Sequence, residues 1–149
     1  MGHLQSPEQL EPEVDQDRLT VSLMKDGSWG DTGHWEGTVA WGQNRNRPGN
    51  RLDAVLAEGA FQSGGRHTAF TRVEWVQKDE LFAEPEPRAG EVFDVAELTL
   101  GYRHDFYRGE HGAWGIGSAG TLSLVPHKLH DAYGELPASV LLFVRAALH

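Results

Sequence analysis

Residues 113–126 read AWGIGSAGTLSLVP, with Gly115, Gly117 and Gly120 at the spacing G-x-G-x-x-G. That spacing marks a dinucleotide cradle only where a strand leads into it and a helix opens at the third glycine, so that the helix amino end meets the pyrophosphate. Here the third glycine is followed by TLSLVP, in which Leu122 and Leu124 alternate with Thr121 and Ser123 before a proline ends the run. The glycines therefore sit inside a β-strand. Trp114, Ile116, Leu122 and Leu124 take one face, and Gly115, Gly117 and Ala119 keep the other face small where the wall bends or is crowded.

The same period of two runs through most of the chain. In AELTLGYRHDF (96–106), Ala96, Leu98, Leu100, Tyr102 and Phe106 share one parity, and Glu97, Thr99, Gly101, Arg103 and Asp105 share the other. His104 is the polar intruder on the apolar side. DRLTVSLM (17–24), HWEGTVAWGQN (34–44) and RHTAFTRVEWVQ (66–77) alternate in the same way. RLDAVLAEGAF (51–61) and SVLLFVRAALH (139–149) are rich in helix-forming residues, but their flanking turns and neighbouring strands make strand the better reading. Seven strands result. QSGGR (62–66), YRGEHG (107–112) and KDGSWGDTG (25–33) read as the shorter links, while NRNRPGNR (44–51), ELFAEPEPRAGEVFD (80–94) and VPHKLHDAYGELP (125–137) read as longer, polar loops. The fold expected is all-β, an antiparallel up-and-down meander. Residues 1–17 form an acidic loop segment and residues 18–149 the wall.

Composition narrows the partners. The net charge is -9, with no basic run, which argues against nucleic acid. There is no cysteine, so disulfides, thiolate metal sites and cysteine nucleophiles are excluded. No apolar run is long enough for a spanning helix, and the amino end lacks the basic start and apolar core of an export signal. His127 and His130, with Asp131 and Glu135 nearby, would gather a metal only on a helical turn, and the segment reads as a polar surface loop. No Ser sits in a G-x-S-x-G elbow. The chain is therefore read as a non-enzyme without a cofactor.

A meander that is apolar on one face and charged on the other suits two opposite architectures. A soluble calycin-like barrel would turn the apolar face inward around an apolar ligand, whereas an outer-membrane barrel turns it outward to lipid. Strands of about ten residues are the length a tilted membrane strand needs. Trp35, Trp41, Trp75, Phe106, Tyr107 and Trp114, near strand ends, suit an interfacial girdle. On this reading Arg72, Glu74, Glu97, Arg103, Asp105 and Arg145 line or plug an aqueous lumen, where they filter small polar solutes or pair with one another.

Several stretches carry a family likeness. SPEQLEPEVDQDRLTVS (6–22), TVAWGQNRN (38–46), RHTAFTRVEWVQKDELF (66–82) and ELTLGYRHDF (97–106), followed by GIGSAGTLSLVP (115–126), resemble the carboxyl-terminal part of a family of uncharacterised, porin-like bacterial outer-membrane β-barrel proteins. The resemblance implies a bacterial outer-membrane location, lipid as the surrounding partner, and further amino-terminal strands needed to close the barrel. It also implies that the longer loops face outward and the tight links face the periplasm. The chain departs from the family in ending on His149 instead of an aromatic residue.

Overall fold

The computed structural model describes residues 2–4, 15–82 and 85–148. It is one antiparallel up-and-down sheet in which each strand pairs with its neighbours in chain order. Seven long strands run over Asp15–Trp29 (β2), Gly33–Arg47 (β3), Arg51–Ser63 (β4), His67–Lys78 (β5), Phe93–Gly109 (β6), Gly112–Leu124 (β7) and Ala138–Leu148 (β8). A three-residue strand, Gly2–Leu4 (β1), pairs with β2 at Gln16–Arg18. The sheet is not closed into a barrel: among the described residues, the outer edge of β8 and that of β2 beyond Arg18 have no strand partner. β2 and β8 run in the same direction, from the loop end of the sheet towards its turn end.

Three expectations need adjustment. β2 begins at Asp15, inside the stretch read as an acidic loop, and Gly2–Leu4 is strand as well. The link at NRNRPGNR is short: β3 runs on to Arg47, leaving residues 48–50 between it and β4. Phe106 leaves the alternation, because β6 is bulged between Asp105, opposite Gly115, and Tyr107, opposite Trp114. A bulge sets two residues against one, so every side chain after it changes face relative to the simple count.

Register assigns the faces. One carries Leu98 between Val73 and Leu122, with Trp41, Val55 and Trp75 in one cross-strand row and Trp35, Phe61 and Tyr102 in another. The other carries Thr68, Arg72, Glu74, Glu97, Arg103, Asp105, Gly115, Gly117 and Arg145. The side chains most removed from solvent belong to the second, charged face: Asp105, Ala113, Ala119, Thr68, Phe93 and Val95 are buried there. Leu100, on the apolar face, is 58% exposed. The sheet is thus concave on its polar side.

The glycines make that concavity. A Cβ on Gly101 would overlap the ring of Phe70, and one on Gly117 would overlap Phe143 and stand 2.8 Å from the carbonyl oxygen of Tyr102. Phe70 belongs to β5 and Phe143 to β8, three strands apart, or about 14 Å across a flat sheet. Their ring centroids are nevertheless 6.3 Å apart, because both rings lean inward over a floor of Gly101, Gly117 and Ala119. Gly115 serves a different neighbour, since a Cβ there would collide with the Asp105 carboxylate. Gly101→Ala should therefore destabilise the folded chain by about 1–3 kcal/mol, the cost of overpacking. A denaturant titration in detergent checks this; an unchanged midpoint would mean that the ring has room to move.

At the loop end, residues 79–82 and 85–92 brace against residues 125–137. Arg88 lies 4.2 Å above the Phe82 ring and donates from Nη1 to the Lys128 carbonyl at 2.6 Å. Lys128 pairs with Glu91, and Phe82 packs against Phe93 at 5.7 Å between centroids. Leu129 is fully buried in this cap. A 3₁₀ turn, His127–Leu129, continues into one helical turn, His130–Tyr133 (α1), so the helical geometry not expected of VPHKLHDAY does form.

Candidate functional site

The six charged residues singled out by sequence all lie on the concave face, in two groups. The first sits near its middle. Arg72 donates to Glu74 through Nε at 3.1 Å and Nη2 at 2.5 Å, and its Nη1 stands 3.8 Å from Glu58 on β4. Glu74 and Glu97 are direct cross-strand neighbours. Like charges opposed in this way repel, and each has a partner elsewhere: Arg72 for Glu74, and the Ser123 hydroxyl, 3.1 Å away, for Glu97.

The second group lies four residues further along β5 and β6, about 13 Å towards the turn end. Asp105 is its centre and is fully buried. Arg103 Nε is 3.1 Å from Asp105 Oδ1, and Arg145 Nη1 is 3.7 Å from Oδ2. Arg103 also donates through Nη2 to the Thr68 hydroxyl at 3.0 Å, and the Asp105 amide donates to the Arg66 carbonyl at 2.8 Å. A third guanidinium, Arg108, approaches Oδ2 to 3.8 Å.

Arg108 is the residue that alternation hides. Positions three apart on a regular strand point to opposite faces. The extra residue at Phe106 restores Arg108 to the side of Asp105, where it stands opposite Ala113. The YRGEHG turn that follows was the only available hint of an irregularity.

Sequence reasoning also passed over Asp26, Glu36 and Glu58. With Met24, Phe70 and Arg72 they line a groove of about 530 Å³ on the concave side of β2 to β5. The concave face is therefore acidic towards β2 and rich in arginine towards β8.

On the apolar face, a polar row closes the band at the loop end. Gln43 Nε2 donates to Asp53 Oδ1 at 2.7 Å, the Asp53 amide donates to Gln77 Oε1 at 3.1 Å, and Gln77 Nε2 donates to Asp94 Oδ1 at 3.2 Å. This chain of bonds crosses β3 to β6 two residues beyond Trp41 and Trp75, on the same face. Between the two aromatic rows, Lys25 on the edge strand β2 is the one charged side chain among the described residues. Nearer the turns, His67 stacks on His104 with centroids 4.8 Å apart, and its Nδ1 shares a 2.6 Å hydrogen bond with the Tyr102 hydroxyl. The rings of His127 and His130 also lie 4.8 Å apart. Among the described residues, no group of three or more His, Asp or Glu is placed to hold a metal ion.

No protein-family model matches this chain, and neither a curated protein nor a solved structure matches it.

Proposed function

We propose that this chain is part of the wall of an outer-membrane β-barrel, with its apolar face against lipid and its concave, charged face against water that small polar solutes traverse. The observation that carries this reading is the orientation of the two faces. A calycin-like barrel would enclose Leu98, Leu100 and Trp75 and leave the arginines in bulk water. Instead Leu98 is 37% and Leu100 58% exposed, while Arg103 is 21% exposed and Asp105 not at all. Dimensions support it too. From Gly33 to Gln43 the apolar face spans ten residue steps of β3, about 33 Å of strand. At a barrel tilt of about 40° that projects to roughly 25 Å, the height of a lipid-facing band. Lys25 stands near the turn end, where a long stem lets the ammonium reach the interface. Among the described residues no helix is long and apolar enough to cross a membrane; strands would do the crossing.

The open edges of β2 and β8 would leave backbone N–H and C=O groups unpaired in hydrocarbon, which lipid does not tolerate. Closure therefore requires strands beyond those described. Density-gradient flotation with phosphatidylcholine vesicles tests the membrane reading. The chain should float with the vesicles and precipitate when detergent is removed without lipid. A folded monomer that stays in plain buffer and ignores vesicles would overturn the membrane assignment and favour the soluble barrel.

A further inference from the structure

We propose that Arg103, Arg108 and Arg145, gathered around Asp105, form a binding site for a small tetrahedral oxyanion of the inorganic phosphate type. Three guanidinium groups converge on a single buried carboxylate, so the cluster carries a formal excess of two positive charges. Among the described residues, Asp105 is the only ionic partner of all three.

Asp105 does not use up their donors. Arg108 and Arg145 stand 3.8 and 3.7 Å from its oxygen, too far for a hydrogen bond. Arg103 Nε, though 3.1 Å away, is not aligned for one, so Arg103 Nε, Arg145 Nη1 and both Asp105 carboxylate oxygens are buried without a hydrogen-bond partner. Buried donors of this kind are expensive to leave unmade. The planar forks of arginine match the oxygens of phosphate, with two donors per group.

The site is also open and held in place. The arginine side chains are 21%, 42% and 33% exposed in chain order, so the cluster reaches solvent on the concave side. Gly115 leaves the space that the Asp105 carboxylate fills, and the bulge at Phe106 aims Arg108 at it. Asp105 thus gathers the guanidinium groups by charge, and their solvent-exposed parts are what a ligand on the concave side would meet. The inference rests on the concave face holding water, as proposed above, but not on lipid surrounding the other face.

The test is titration of inorganic phosphate into the full chain in a zwitterionic detergent, at constant ionic strength. It is followed by the arginine Nε–H resonances in nuclear magnetic resonance spectra. Saturable shifts should appear at Arg103 and Arg145. Arg145→Gln and Arg108→Gln should each weaken binding about tenfold or more, the factor carried by a hydrogen bond to a charged group. Arg51→Gln, on the opposite face, should leave it unchanged. A response no larger than that to sodium chloride would overturn the proposal. So would equal weakening by Arg51→Gln, or saturation by succinate but not phosphate, which would make the ligand a carboxylate. Flotation with vesicles is read separately, so loss of the anion site and loss of the membrane reading give different results.

Discussion

Leu98→Arg should cost about 2–4 kcal/mol of folding free energy in lipid, the penalty for a guanidinium near the middle of a barrel's lipid face. Leu98 stands between Val73 and Leu122, between the two aromatic rows and four residues from the polar row at Asp94, so an arginine there sits near the middle of the apolar band. Ser123→Arg is the matched comparison, since it places the same charge on the same pair of strands but on the concave side, opposite Glu97. The variant exchanges the Ser123–Glu97 hydrogen bond for an ion pair with Glu97, so stability should change by no more than about 1 kcal/mol. Denaturant titration in vesicles, followed by tryptophan fluorescence, measures both. If the two variants behave alike, the apolar face does not meet hydrocarbon. If Leu98→Arg instead abolishes folding in plain buffer, that face is an enclosed core.

Asp105→Ala carries the second large effect. Removing one partner of a buried ion pair costs about 3–5 kcal/mol because the other charge stays behind uncompensated. Here three guanidinium groups would remain, each able to reach water, which places the expected loss at the lower end, about 3 kcal/mol. Glu97→Ala should lose about 1 kcal/mol, since Ser123 is the hydrogen-bond partner it leaves. Unfolding curves in detergent decide between the two expectations. Equal and small losses would mean that Asp105 is as dispensable as a surface carboxylate.

Both variants depend on facts of unequal visibility in the chain. The strands themselves were legible, because a sheet with one apolar and one polar face writes its period into every segment. RLDAVLAEGAF and SVLLFVRAALH became strands despite helix-favouring residues, since an adjacent strand edge outweighs propensities of a few tenths of a kcal/mol per residue. The glycines of GIGSAG were legible as small positions on a crowded face, but not what crowds them. Phe143 and Phe70 lie far off in sequence, and only the register sets them above Gly117 and Gly101. Arg108 was illegible for a sharper reason. A bulge is a property of a strand pair, and one extra residue reverses the parity of everything after it. Asp26, Glu36 and Glu58 escaped notice because each is an ordinary surface carboxylate within its own strand, and only pairing across β2 to β4 gathers them.

The common direction of β2 and β8 limits how this sheet could close into a barrel. If these two edges met each other, or the edges of a second copy standing the same way up, the joint would be parallel in an otherwise antiparallel wall. An antiparallel seam at both sides needs an odd number of intervening strands, beginning and ending on one that travels from the turn end to the loop end. Gly2–Leu4 already follows that heading for three residues beside β2. A strand pairing antiparallel with the free edge of β2 would continue the course those residues mark out, which a second copy standing the same way up cannot do.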